Sequence, residues 1–336
     1  MLEEARSAAT CVASQLAADA PTYAALGRTL PGQPPTVALT VARGSSDHAA
    51  AYLGYLVMSR MGRIVASLPM SLVTLYKSPL HARQTLAVAI SQSDQSSDVV
   101  EPIGYFRSGG ATSVAVVNDA ASPLALAAEW VLPLHAGPER SVAATKSFIA
   151  SLAVGARLVA HWQEDAALQY ALQALPEALQ VAARIDWSAA LDVLVPARAA
   201  MVVGRGPGYA VACEAALKLK ETSSLQAEAF SGAEIQHGPM ALIDPGYPLL
   251  IFATRGPALA GLVELAAAMR QRGARVLLAA PGDVPTRDLT LPTANTPDLD
   301  PIVAVQAFYG RAAQLAVARG YDPDQPRHLR KVTRTQ

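Results

Sequence analysis

The chain is 336 residues long, which gives about two domains and ample material for a core. Lys plus Arg and Asp plus Glu both total 27, and no basic run carries interleaved aromatics, so nucleic acid and membrane surfaces are excluded as expected partners. Apolar residues make up 51% but aromatics only 5%, so the interior has to be built from Ala, Val, Leu and Ile, the mixture of helices packed on buried parallel strands.

Residues 1 to about 28 repeat Ala and Leu at helical spacing and predict one helix, ended by PGQPP at 31–35. The opening MLEEARSAAT is acidic where a signal peptide would be basic, and no segment reaches about 18 consecutive apolar residues, so a soluble cytoplasmic protein is expected. Cys11 and Cys213 lie in helix-like sequence and read as small core residues, with neither a disulfide frame nor a metal knuckle. Five short apolar, partly β-branched runs come next: TVALTVARG (36–44), GRIVASLP (62–69), LAVAISQS (86–93), ATSVAVVN (111–118) and WVLPLHAG (130–137). The stretches between them are long enough for crossover helices, as parallel pairing requires.

The Ala- and Leu-rich region from about 141 to 184 predicts two helices. Strands then resume at AAMVVGRG (199–206), YPLLIFATRG (247–256), ARVLLAAPG (274–282) and LTLPTAN (289–295), interrupted by a helical 207–222. Each series has a polar turn after its first strand, ARGSS at 42–46 and GRGPG at 204–208. The expected fold is α/β: two tandem doubly wound parallel-sheet domains, each a flavodoxin-like or Rossmann-like three-layer sandwich. The expected boundaries are an N-terminal helix and first domain over 1–165, a helical linker over 166–188, a second domain over 189–321 and a polar tail over 322–336.

The third strand runs into SQSDQSSD (91–98), which holds four serines but no Lys, Arg or Gly. Ligands of open parallel sheets sit beyond the strands' carboxyl ends, where loop amides and the next helix start point at an anion. Ser91, Ser93 and Ser96 add hydroxyls there, and the absence of Gly-Lys-Ser/Thr argues against a nucleotide P-loop. A sugar phosphate monoester is the natural guest. Equally, Ser96 or Ser97 could serve only to cap a helix starting near Asp98, and the two roles are compatible. GRGPG lacks the full dinucleotide spacing.

Lys218 and Glu221 stand one turn apart on the helix over 207–222. Taken alone they are an ordinary surface ion pair; in a site, Glu221 can move a proton and Lys218 can steady the charge that develops. His237 precedes Gly-Pro in a loop, where an imidazole is often unremarkable but is also suited to shuttling a sugar's O5 proton. The other five histidines show no metal spacing, so neither a metal nor another cofactor is expected.

Four segments together, SQSDQSSD, GRGPGYAVACEAALKLKE (204–221), AEAFSGAEIQHGPMALID (227–244) and DQPRHLRK (324–331), resemble the sugar isomerase (SIS) domain family. More narrowly, nearly the full length is similar to the isomerase half of glucosamine-6-phosphate synthases. In that family a Ser-Gln-Ser-Gly-Glu-Thr loop binds the phosphate; it falls on Ser91, Gln92, Ser93, Asp94, Gln95 and Ser96, with Asp94 and Gln95 as departures. The family's Cys-Gly-Thr-Ser turn falls on Arg43, Gly44, Ser45 and Ser46, where Ser46 would touch the sugar, and Val142 and Ala143 match a segment lining the sugar site. The resemblance implies Glu221 as catalytic carboxylate, Lys218 as its helix lysine and His237 as the ring-opening histidine, donated across an obligate homodimer. It also implies Lys331 as the lysine that forms an imine with the open-chain sugar, although Arg330 and Val332-Thr333-Arg334 depart from the family's neighbours.

The synthases carry a glutamine amidotransferase domain with an N-terminal cysteine, which has no counterpart in the MLEE start and the helix after it. The expected reaction is therefore the deamination of glucosamine 6-phosphate to fructose 6-phosphate and ammonia. A transaminase-type relative, a fructosamine-6-phosphate deglycase and a sugar-phosphate-binding sensor are the alternatives.

Overall fold

A computed structural model describes residues 1–92 and 96–331. Helices α1 (Leu2–Ala17) and α2 (Ala20–Gly32) open the chain where a single helix is expected. The break is local: Asp19 takes a left-handed φ of 57° and Pro21 comes in the first turn of α2. Asp is among the few non-glycine residues that accept that conformation, and Pro is favoured just inside a helix start.

Among the described residues the strands form two five-stranded parallel sheets, each held in its own compact unit. The first unit takes in, of the described residues, those within Thr10–Glu139 and Lys146–Gln173 together with Arg330 and Lys331. Its strands are β1 (Val37–Val41), β2 (Val65–Ser67), β3 (Thr85–Ser91), β4 (Thr112–Val117) and β5 (Trp130–Pro133), in the order β2-β1-β3-β4-β5. Helices α3 (Ser45–Met61), α4 (Ser71–Thr74), α5 (Ser97–Ser108) and α6 (Pro123–Ala127) make the crossovers, and α7 (Lys146–Trp162) and α8 (Ala166–Gln173) come after β5. The central strand β3 is buried at all its positions, which is why LAVAIS reads as a continuous apolar run with no alternation. On one face Ala87, Ala89, Ala115 and Val117 meet Val99, Ile103 and Phe106 of α5. Small strand residues let that helix lie close.

The second unit takes in Met1–Ala9, Arg140–Thr145 and Ala174–Leu329. Here α9 (Leu175–Ala182) and α10 (Ala189–Leu194) lead into β6 (Ala199–Gly204), α11 (Gly208–Ser223), β7 (Gln226–Ser231), β8 (Pro248–Phe252), α12 (Leu259–Gln271), β9 (Arg275–Ala280), β10 (Leu289–Thr290) and α13 (Asp300–Ala318). The order β10-β9-β8-β6-β7, counted along the chain of this unit, repeats the 2-1-3-4-5 order of the first. In that order the strand direction of travel reverses between the first and third strands, and the crevice at their carboxyl ends is where such sheets bind ligands. The reversal lies between β1 and β3 in one unit and between β6 and β8 in the other. Met201, Val203, Leu249, Ile251 and Leu278 pack against Leu262, Leu265 and Met269 of α12.

Strand β7 is not legible as a strand in the sequence. Among the described residues it pairs only with β6, at the sheet edge, and QAEAFS exposes Gln226 and Glu228 to either side of buried Ala227. No helix among the described residues is long and apolar enough to cross a membrane.

Candidate active site

In the first unit, β1 and β3 run in register with Val41 opposite Ala89, so their carboxyl ends finish at the same level. Ser46 lies half-buried in the first turn of α3, and Ser91, the last residue of β3, is buried with Gln92 half-buried after it. Ser93 lies outside the described residues. Ser96 is the N-cap of α5 in extended backbone, and its carbonyl accepts from the Val99 and Val100 amides at 3.0 and 3.1 Å. Ser46, Ser91, Gln92 and Ser96 thus flank the β1/β3 reversal, with Ser46 and Ser96 at helix starts. Asp98, in the first turn of α5, accepts from Arg43 Nη2 at 2.8 Å.

The same unit holds Lys331, and it is not loose. Its Nζ donates to Glu139 Oε2 at 3.1 Å. Glu139 is buried, and Ser147 at the start of α7 fixes it twice, by its amide to Oε1 at 3.1 Å and its hydroxyl to Oε2 at 2.7 Å. A buried carboxylate must have its oxygens satisfied, and a helix start with a serine does that while the tail lysine balances the charge.

Val142 and Ala143 belong to the second unit. Ala143 is buried and Val142 half-buried; the Val142 amide donates to the Asp324 carbonyl at 3.2 Å, which ties this segment to the tail.

Helix α11 carries the catalytic candidates. It starts immediately after β6, in a turn so tight that a Cβ on Gly204 would stand 2.5 Å from the Gly208 carbonyl oxygen; only glycine lets the helix begin there. Glu214, Lys218 and Glu221 then fall on one face at i, i+4 and i+7. Lys218 is 1% exposed, its Nζ 2.5 Å from Glu221 Oε2 and 3.4 Å from Glu214 Oε1. Glu214 also accepts from the Tyr309 hydroxyl of α13 at 2.9 Å. Burial works against the ammonium, but the charges and hydrogen bonds of Glu214 and Glu221 outweigh it and hold Lys218 above its ordinary range. A cation so fixed is no base. It orients Glu221.

Glu221 itself is about a fifth exposed and opens onto a cleft of about 360 Å³ shared with Tyr321, Asp322, Gln325, Arg327 and His328. Arg327 stacks over the Tyr321 ring at 5.0 Å, so the tail covers one side of this cleft. His237 is exposed, at the end of a 3-10 turn over Glu234–Gln236. Gly238 comes next at φ 128°, a conformation that requires glycine. Among the described residues no hydrogen bond joins His237 to Lys218 or Glu221.

Two carboxylates escape a reading of the sequence. Glu214 could have been found, because it stands one helical turn before Lys218 on the same face. Glu139 carries no local signal: its partner Lys331 is 192 positions away.

The SIS domain profile matches residues 37–160 and 193–280. A glutamine–fructose-6-phosphate aminotransferase (isomerizing) of Zymomonas mobilis is 35% identical over 309 residues, covering 87% of this chain and 51% of that protein. One of the same name from Aeropyrum pernix is 36% identical over 316 residues, covering 88% and 50%. The chain therefore spans about half the length of these curated relatives. Among solved structures, a Silicibacter pomeroyi protein named provisionally as a phosphosugar isomerase superposes with a TM-score of 0.92 at 39% identity, covering 96% of this chain and 99% of that one.

Proposed function

From membership of the SIS domain family, to which this chain belongs, we propose that the protein is a phosphosugar isomerase acting on an amino sugar, converting glucosamine 6-phosphate and water to fructose 6-phosphate and ammonia. The observation that carries this reading is the Glu221 carboxylate, pinned by a buried lysine and open to a cleft. That is what an aldose–ketose proton shuttle needs: a base held in one orientation with one side accessible to substrate.

His237 assists ring opening by moving the O5 proton, which gives an aldehyde at C1 and an amine at C2. Glu221 takes the C2 proton to form an enolamine and returns it to C1, leaving an imine at C2. Water adds to that imine, ammonia leaves, and the C2 carbonyl remains. Lys331, seated on Glu139, serves the open-chain sugar. Ser91, Ser93 and Ser96, with the start of α5, take the phosphate, and Ser46, Gln92, Val142 and Ala143 contact the sugar. The exposed position of His237 suits donation to the site of a second copy in a homodimer.

The test is purified protein with glucosamine 6-phosphate, monitored for both products. Equimolar ammonia and fructose 6-phosphate would support the reading. Isomerisation of neutral sugar phosphates with no ammonia would overturn the deaminase assignment, and release of an amino acid from a fructosamine 6-phosphate would move it to a deglycase.

A further inference from the structure

We infer that Arg43 makes the cationic contact to the substrate's phosphate, held in place for that task by Asp98; this rests on the phosphate position proposed above. The segment SQSDQSSD holds serine hydroxyls but no Lys or Arg, so any cationic contact to a phosphate dianion there has to come from a neighbouring element. The neighbouring element is the β1–α3 turn. With Val41 opposite Ala89, Arg43 lies as many residues beyond Val41 as Ser91 lies beyond Ala89 on β3, and the two stand across the reversal where this sheet order binds ligands.

The side chain is already aimed at the right place. Arg43 Nη2 donates to Asp98 Oδ2 at 2.8 Å, and Asp98 is a buried carboxylate in the first turn of α5, the helix capped by Ser96. A guanidinium presents five N–H donors in a rigid fork. One arm is engaged with Asp98 while 53% of the side chain stays exposed, leaving the outer edge of the fork to meet an anion. Asp98 alone would repel a phosphate at that helix start; with Arg43 bridging, the repulsion becomes an orienting contact. Arg–phosphate pairs of this kind are charge-assisted and stronger than neutral hydrogen bonds. Gly44, at φ 55°, turns the chain directly after Arg43, which brings Ser45 and Ser46 into α3 beside it.

The experiment measures the affinity for fructose 6-phosphate by calorimetry for the parent, Arg43→Gln, Arg43→Lys, Asp98→Asn and the Arg43→Gln/Asp98→Asn double variant, with Ser91→Ala as a control on the phosphate position. Thermal unfolding checks each fold. Arg43→Gln should weaken binding roughly 10- to 100-fold, the loss of a charged hydrogen bond, with Arg43→Lys between it and the parent. The double variant should still bind at least roughly 5-fold more weakly than Asp98→Asn, since the phosphate contact persists without Asp98. Equal binding by Asp98→Asn and the double variant would make Arg43 a mere neutraliser of Asp98 and overturn the inference. So would parental affinity in Arg43→Gln, and if Ser91→Ala still weakened binding the phosphate position would survive. Parental binding in both Arg43→Gln and Ser91→Ala would instead overturn the phosphate position, and the inference with it.

Discussion

Lys218→Met removes one ammonium and nothing else of consequence: the apolar stem of methionine fills most of the lysine's buried volume. Glu214 and Glu221 are then left on one helix face without the cation that joins them. At an effective dielectric of about 20, a pair 3.4 Å apart attracts by roughly 5 kcal/mol before desolvation, and taking one partner from a buried pair costs about 3–5 kcal/mol. The Glu214 contact sets this scale, because both side chains are almost wholly buried, whereas Glu221 is partly relieved by solvent. A loss of about 3–5 kcal/mol is a large fraction of a stability of about 5–15 kcal/mol. The assay is the urea midpoint at unchanged m-value, at pH 7 and again near pH 5. The deficit should shrink at the lower pH, since a buried carboxylate that has lost its cation takes up a proton more readily than one in the unfolded chain. A shift below about 1 kcal/mol at pH 7, or a deficit that does not change with pH, would refute the reasoning. Tyr309→Phe, which deletes only the donor to Glu214, should cost less, about 1–3 kcal/mol.

Glu139→Gln keeps the Ser147 contacts sterically possible but removes the charge that seats Lys331; kcat should fall by about 10-fold or more, and adding Lys331→Ala should cost little further, because the two act as one unit. Independent, multiplicative losses would separate them. Cys11, raised from 9.0 to about 12 by burial, stays protonated in the native state where the unfolded thiol ionises, so between about pH 9 and 12 the native state binds more protons and stability should fall by up to about 1.4 kcal/mol per pH unit. Cys11→Ala should flatten that slope in denaturation curves; an unchanged slope would assign it elsewhere. Mixing inactive Glu221→Gln with inactive His237→Ala should restore activity in verified hybrid dimers, and no recovery would count against a shared site.

The fold was readable where one rule governs a segment. Strands buried on both faces read as unbroken apolar runs, and among the described residues every strand but β7 falls inside or against those runs. Edge strand β7 did not, because its pattern is polar alternation with a single buried alanine. The helical stretch after β5 was harder for a different reason: α7 begins at Lys146, Glu164 at φ 52° separates it from α8, and α9 starts afresh with Pro176 in its first turn. An Ala- and Leu-rich run has good propensity throughout, so only local backbone breaks mark the ends. At the site, Lys218 and Glu221 were legible because a helix fixes spacing on its own. Glu139 with Lys331, and Arg43 with Asp98, were not, since each pairing exists only once the sheet has brought distant turns together.

Proton transfer between C2 and C1 by Glu221 is tested most directly by turnover of glucosamine 6-phosphate in deuterated water, comparing the parent with Glu221→Gln, which keeps size and hydrogen bonding but is no base. The parent should place deuterium at C1 of fructose 6-phosphate, while the variant should do so roughly 100-fold more slowly or worse and still bind fructose 6-phosphate within about 3-fold of the parent. Deuterium appearing at the parental rate in Glu221→Gln would contradict the account and assign the proton transfer to another residue.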